Sequence, residues 1–404
     1  MKKRARSTKT PGVFMCTREP GCPINLSLAT RLHNYVVQNK WEFRDIEAAD
    51  YIIIVACSTL PEWRQSVKAA AEYFAQRYPS KQVVVTCCFA KRDAVEAPNL
   101  VYIPLEKADE FDAIFHPTVP LRRIPSGATV EDNREVKALG AGRAAATRPF
   151  NVMVAAGCLN HCAFCIGKSV FATVKSVPLD EIVSQCQEGL RQGYTNFVIG
   201  ASDVGSYGHD LGCDVTDLFD ALFTKAFAGR SDLIVGFKGF EPSRFIRYFD
   251  RLKATFESGR VSWLCLPVQS GSDSVLRSMN RKYKIADVIK VIKELRQVAP
   301  ALRIETDLII CFPTETAADF EASMRMLEYF DHVQMLPFEL HDDTKAATLK
   351  RVFTDEEAER RRRVMESLQQ NQAEHERPEC RSRIDISLPS PLGGQGFAVL
   401  EVPK

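Results

Sequence analysis

The chain has no apolar run approaching the about 20 residues that a membrane-spanning helix needs. Its basic start (Lys2, Lys3, Arg4, Arg6, Lys9) has no apolar segment behind it, which is not the form of a secretory signal. Net charge is slight, +2 over 404 residues, so the overall balance gives no strong pull on a polyanion. An even cysteine framework is missing too. Thirteen cysteines, an odd number, point to a reducing, cytoplasmic interior and metal work instead of disulfides. What is present is ordinary for a soluble globular protein: 45% hydrophobic and 26% charged residues. The length suits two or three domains.

Three of the cysteines share one short loop, Cys158-Leu-Asn-His-Cys162-Ala-Phe-Cys165. Random placement would produce this spacing about 0.01 times per chain. A C-x3-C-x2-C run can hold three corners of a [4Fe–4S] cluster and leaves the fourth iron open to a small ligand. Zinc is the rival metal, but its sites usually read as paired C-x2-C or Cys/His sets with four ligands. Tightly spaced thiolates fit an iron–sulfur cluster better.

Residues 1–11 are expected to be a disordered basic terminus, a solvated arm before a polyanion-binding one. Residues 12–118 alternate strands and helices. Val13–Met15, the β-branched run Tyr51–Val55 and Val83–Val85 read as strands; Ala29–Val37 and Ser66–Tyr78 read as helices. The pattern predicts an α/β fold that begins with a small parallel-sheet domain. Cys22 falls in the first strand-to-helix connection, and Cys57 and Cys88 follow the next two strands. In an open α/β sheet such loops share one edge. Their convergence predicts a second three-thiol cluster, with Cys16 and Cys87 as alternative ligands.

Pro125-Ser-Gly127 and Gly140-Ala-Gly142 mark a linker over 119–147. Strand and helix alternate again over 148–375. Strands are expected at Asn151–Ala155, Asn196–Gly200, Leu233–Phe237, Trp263–Val268, Arg303–Ile310 and Gln334–Leu336. Helices are expected at Leu179–Gln192, Pro242–Phe256, Ala286–Val298 and Thr316–Phe330. Cys186 lies on an apolar stripe and reads as core. Six β/α units suit a partial (β/α)6 TIM barrel with its chemistry at the C-terminal strand ends, where the three-cysteine loop falls. Thr354-Asp-Glu-Glu357 opens a last helix, in which Arg360–Arg363 read as a solvated charged surface. Residues 376–404 form a short tail, read as a hairpin.

A cluster with one open iron in a partial barrel resembles the radical S-adenosylmethionine enzymes, and Phe164 matches the aromatic usual between the last two thiols. The chain resembles their methylthiotransferase family over residues 12 to about 375. Gly21-Cys22-Pro-Ile-Asn25, Val55-Ala-Cys57 and Thr86-Cys-Cys88 resemble its auxiliary-cluster motifs. Gly157–Cys162, Ser202-Asp-Val-Gly-Ser-Tyr-Gly-His-Asp-Leu-Gly212, Glu241-Pro242, Pro267–Asp273, Met279-Asn-Arg281 and Asp307–Pro313 resemble its barrel motifs. The likeness is nearest to the branch that modifies threonylcarbamoyladenosine in tRNA. It implies two [4Fe–4S] clusters, one on Cys158, Cys162 and Cys165 and one on Cys22, Cys57 and Cys88. It also implies S-adenosylmethionine, an electron donor such as flavodoxin or ferredoxin, and conversion of C–H to C–SCH3. By position, Phe164, Ser202, Asp203, Gln269 and Ser270 would line the S-adenosylmethionine pocket.

Several residues depart from the family pattern. Only 29 residues follow His375, where tRNA-modifying members carry an RNA-binding β-barrel. His341-Asp-Asp-Thr-Lys345 places carboxylates where a phosphate backbone would be repelled. Thr314 replaces a usual glycine, Cys265 stands where the nearest branch has histidine, and Ile166-Gly-Lys-Ser replaces a basic stretch. These departures favour a peptide or small-molecule substrate over tRNA adenosine. Sulfur insertion and plain methyl transfer are further outcomes of the same fold, and a non-catalytic iron–sulfur carrier is the reading from another class.

Overall fold

The structure is a computed structural model that describes residues 10–18, 23–56, 61–87, 95–124, 149–342, 344–375 and 397–399. Cys22, Cys57 and Cys88 lie outside the described residues. The chain divides into two compact units, Met1–Gly140 with Ser382–Lys404, and Ala141–Arg381.

The first unit is built on a sheet of order β13-β1-β3-β4-β5, with β2 beside β1. Its strands are β1 (Gly12–Arg18), β2 (Glu42–Phe43), β3 (Tyr51–Ala56), β4 (Gln82–Cys87) and β5 (Leu100–Pro104). All pair in parallel, and β13 (Phe397–Val399) joins β1 antiparallel. Continuous apolar runs such as Ile52-Ile-Ile-Val55 are what a sheet covered on both faces requires. One face packs Phe14, Ile52, Ile54, Val83 and Val85 against the helix Pro61–Arg77, whose Ala70 and Ala71 let the backbones approach closely. Cys16 belongs to this core, 1% exposed, and burial pushes its thiol up to about 12. It is a small apolar filler there, not an edge residue.

Two expectations about this unit change. Residues 119–124 pack into it instead of starting a linker. Leu121 and Ile124 are buried, the Asn39 side-chain Oδ1 accepts from Val119 N, and Arg31 donates to the backbone carbonyls of Leu121 and Ile124. The described part of the tail pairs with β1, while the Ile384–Ile386 half of the expected hairpin lies outside the described residues.

The second unit is a sheet of order β12-β11-β10-β9-β8-β6-β7. Six strands are parallel: β6 (Pro149–Ala156), β8 (Asn196–Ala201), β9 (Ile234–Lys238), β10 (Trp263–Cys265), β11 (Arg303–Ile310) and β12 (His332–Pro337). The short β7 (Lys175–Ser176) pairs antiparallel with β6 at the edge. Helices between them, including Leu179–Arg191, Pro242–Glu257 and Ile285–Val298, cover one face. This is the α/β partial barrel. Phe219 stacks on Phe237 at 4.2 Å in its core, with Phe240 and Phe256 around them. Cys186 is fully buried, as its helical stripe implies. Trp263–Val268 is shorter than expected, because Pro267 has no N–H to offer the ladder; only Trp263–Cys265 is strand.

The last helix, Asp355–His375, corrects the reading of the arginine run. Arg361 is not on a solvated surface: it is fully buried, paired with the equally buried Glu315 at 2.8 Å and with Glu357 at 3.0 Å. Its guanidinium lies 4.7 Å from the Phe353 ring centroid and 5.3 Å from that of Phe320. Arg360 and Arg363 do keep exposed partners, Glu357 and Glu359. Removing one partner of a buried pair strands the other charge, at about 3–5 kcal/mol. Arg361→Met should lose that much in urea unfolding of the full chain, and Arg361→Met with Glu315→Gln should lose less. A loss below about 1 kcal/mol for the single variant would contradict the buried pairing.

Asp319 ties the loops after β10 and β11 together. It caps the helix Ala317–Arg325 through Thr316 and accepts from Ser272 and Ser274. Burial acts to raise its carboxyl, but the hydrogen bonds from Ser272 and Thr316 outweigh it and hold it at about 2, below the usual 3.8. A depressed acid contributes stability that is complete above pH 3.8 and lost as pH falls through about 2. The stability gap between wild type and Asp319→Asn should thus be widest near neutrality and close on acidification. A gap that grows toward acid would reverse the sign.

Candidate active site

The loop after β6 opens with Gly157 at φ +83, where a Cβ would stand 2.2 Å from the Thr173 carbonyl oxygen. Only glycine makes this turn. The Gly157 N–H donates to Ser202 Oγ at 3.1 Å and the Leu159 N–H to Ser206 Oγ at 3.2 Å, so the loop is hung from the residues that follow β8. Its far side is clasped by Met279–Arg281. Ala163 N donates to the Met279 carbonyl at 2.8 Å and Asn280 Nδ2 to the His161 carbonyl at 2.6 Å. Ala346 N reaches the Ala163 carbonyl at 2.9 Å, and Lys168 Nζ donates to the Cys158 carbonyl.

Cys158, Cys162 and Cys165 are brought together as free thiols. Burial pushes Cys158 up to about 12, and the Asp203 charge and the two other sulfurs add to the rise. Burial raises Cys165 as well, with the Cys162 sulfur adding to it; a cationic cluster would take the thiolate form of its ligands and relieve that crowding. N–H groups already point at the sulfurs. Asn160 N lies 3.3 Å from Cys158 Sγ, and Arg281 Nη1 lies 3.3 Å from Cys162 Sγ. Among the described residues no three His, Cys, Asp or Glu side chains converge on a single-ion position. Three thiols in one loop, with N–H groups directed at two of the sulfurs, form a donor set that fits an iron–sulfur cluster.

Two buried ion pairs brace this arrangement. Asp203, 1% exposed, accepts from Ser206 Oγ, Gly205 N and Glu241 N, pairs with Arg244 at 3.2 Å and lies 3.7 Å from Cys158 Sγ. Burial raises its carboxyl, opposed by those hydrogen bonds. Its oxygens are taken by protein donors, so it organises the loops instead of presenting a free acceptor. Arg281 pairs with Glu241 at 3.6 Å and donates to the Pro267 carbonyl and Tyr283 hydroxyl. The family motifs include Arg281, Asn280 and Glu241, but their spacing carries no sign of these partnerships.

The other pocket candidates take distinct places. Phe164 is half-buried in the loop, and Ser202 holds Gly157. Gln269 adopts φ +73, its backbone pinned between Asp307 and Ile309 of β11. Left-handed backbone at a non-glycine costs about 1–3 kcal/mol and collects at functional sites. Asn280, in the turn after the helix Asp273–Ser278, and Cys311, just past β11, share it. Ser270 is fully buried, its hydroxyl engaged by Ser323 and Ser272 N, and acts in packing the β10 loop. A cavity of about 360 Å³ adjoins the cysteine loop at Leu159, lined by Ser206, Tyr207, His209, Arg244 and Tyr248. That volume is in the range of small-molecule sites.

The radical SAM superfamily profile matches residues 152–327, the barrel and its cysteine loop. The threonylcarbamoyladenosine tRNA methylthiotransferase MtaB of Thermotoga maritima is 28% identical over 309 residues, 75% of this chain and 69% of that protein. A probable threonylcarbamoyladenosine tRNA methylthiotransferase of Pyrococcus abyssi is 31% identical over 206 residues, 50% of this chain and 48% of its own. The barrel carries the radical S-adenosylmethionine domain, and the chain is similar to the methylthiotransferases of that superfamily. The radical SAM domain implies a [4Fe–4S] cluster and S-adenosylmethionine as cofactors. Of solved structures, the radical S-adenosylmethionine methyltransferase TsrM of Kitasatospora setae shares the fold with a TM-score of 0.54 at 11% identity, over 84% of this chain and 77% of that one. The cobalamin-dependent radical enzyme OxsB gives a TM-score of 0.52 at 13% identity, over 90% and 56%. Among the described residues no helix is long and apolar enough to cross a membrane.

Charge and N–H donors on a ligand sulfur raise a cluster's potential. In anaerobically reconstituted protein, Arg281→Gln should lower the reduction potential and the iron retained per chain. An unchanged potential and iron content would show that Arg281 serves only the fold.

Proposed function

We propose that the chain is a methylthiotransferase that replaces a C–H hydrogen by SCH3, with a threonylcarbamoyl-bearing adenosine of tRNA as substrate. The observation that carries it is the cysteine loop at the barrel's C-terminal end, clasped by Arg281 and Asn280, in a chain whose similar proteins bear that activity by name. The acidic segment at His341–Lys345 had favoured a peptide or small molecule, but the comparisons lend that reading no support.

Cys158, Cys162 and Cys165 would hold a [4Fe–4S] cluster, which would supply the electron for reductive cleavage of S-adenosylmethionine. The chain's own residues set the stage. Arg281 holds Cys162, and Asp203 locks the post-β8 turn to the post-β9 turn. The cavity at Leu159 offers room beside the loop for a small cofactor.

Methylthio transfer also calls for an auxiliary cluster, assigned to Cys22, Cys57 and Cys88. The support is topological. β1, β3 and β4 are adjacent and parallel, so their C-terminal ends at Arg18, Ala56 and Cys87 share one edge. The three cysteines follow those ends within a few positions of sequence. Cys16, deep in the core, is no longer a competitor for that role.

Anaerobic reconstitution with iron, sulfide and S-adenosylmethionine tests both halves. Cys162→Ala should abolish 5′-deoxyadenosine formation. Cys57→Ala should retain it while losing methylthiolated product from tRNA. Normal product from Cys57→Ala would remove the auxiliary cluster from this account.

A further inference from the structure

The lumen face of the barrel carries a polar row that the cofactor chemistry leaves unused. Along β8 to β12, alternate residues such as Phe197, Phe237, Leu264, Ile304 and Val333 are buried against the helices. The opposite face stays accessible at Lys238, Glu305, Asp307, His332 and Gln334. Register pairs Leu264 with Phe237, Cys265 with Glu305, and Glu305 with His332. Paired residues on parallel strands share a face, so Lys238, Cys265, Glu305 and His332 form one row across four neighbouring strands. Asp307, opposite Gln334, stands two residues nearer the C-terminal mouth that carries the cysteine loop.

Three features mark this row as built for a ligand. The Asp307 carboxylate accepts no hydrogen bond from the described residues, although it is half-buried. The Lys238 ammonium makes no ion pair among them either, and the register sets it on the same lumen face as Asp307 with β10 between, where its charge and those of His332 and Arg281 act on that carboxylate. On the row beneath them the Trp263 indole lies against β9, so close that a Cβ on Gly236 would meet the ring at 1.8 Å. The row therefore sits on the mouth side of an aromatic floor. Glu305 differs, being paired with Arg303 at 2.7 Å. Cys265, small and uncharged, is buried at the centre of the row, which leaves the charged groups at its flanks.

We propose that this row is a recognition subsite for the substituent on the substrate base, in which Lys238 takes a carboxylate and Asp307 takes an N–H donor. The ligand class is a nucleobase that bears a carboxylate through a urea- or amide-type linker. A bare phosphate would answer Lys238 but bring Asp307 no donor; a group with both an anion and an N–H donor satisfies both ends. This inference rests on the tRNA reading above.

The test is fluorescence anisotropy with the reconstituted full chain and two anticodon stem–loop RNAs. One carries threonylcarbamoyladenosine and the other plain adenosine. Wild type should prefer the first by about tenfold, the scale of a charge-assisted contact. Lys238→Met and Asp307→Asn should each bring the preference down to about threefold or less, with Lys238→Arg restoring part of it. Thermal midpoints near wild type show that the variants are folded. A preference unchanged in both variants overturns the subsite. Equal binding of both RNAs by wild type overturns it while leaving the tRNA reading in place. No binding of either RNA overturns both.

Discussion

A loop that presents three thiols at a strand end has no helix or ladder of its own, so something else must fix it. Here that constraint is the buried guanidinium of Arg281, joined at once to Cys162 Sγ, Glu241, Tyr283 and the Pro267 carbonyl. Four segments distant in sequence meet on one cation. Asp203 does the complementary work from the other side, gathering Ser206, Gly205, Glu241 and Arg244 beside Cys158. A carboxylate and a guanidinium thus bracket the sulfurs. Buried charges of this kind are costly unless every lone pair and proton is engaged, which is why so many short contacts surround them.

A second buried pair governs the edge of the barrel. Six strands do not close, and β12 would be an open edge. The helix Asp355–His375 lies beside β12, with Gln369 donating to the Met335 carbonyl. Arg361 locks the helix start to Glu315 in the loop after β11. The same loop carries Cys311 in left-handed backbone, its N–H held by the Glu315 carboxylate. One residue on a late helix therefore shapes the end of a strand whose lumen face bears Asp307.

The parts legible in sequence were those set by local chemistry. β-branched runs gave β1, β3, β4 and β11, and apolar stripes gave the helices Leu179–Arg191, Pro242–Glu257 and Ile285–Val298. The thiol spacing marked its own loop. The parts that stayed hidden depend on partners far along the chain. Arg361 sits among four arginines with acidic neighbours, a pattern that reads as solvated surface; only folding places Glu315 and Phe353 against it. Arg281 belongs to a recognisable motif, yet nothing in its neighbours announces a sulfur 119 positions away. Asp203 was legible as a site residue but not in its role, because its donors come from two separate turns.

A complete eight-stranded barrel fills its interior with layers of side chains, which leaves little choice about their polarity. An arc of six strands cannot be packed that way, so its lumen residues keep contact with solvent whether or not they serve a ligand. Exposure alone is therefore no argument for function at Lys238 or Asp307. The discriminating property is charge arrangement. On an ordinary wet surface, facing opposite charges approach each other at little cost and little gain, as Arg303 and Glu305 do in the same lumen. Lys238 and Asp307 lie within electrostatic reach on adjoining rows and stay apart. Their places on β9 and β11, with β10 between, leave room for a ligand to bridge them.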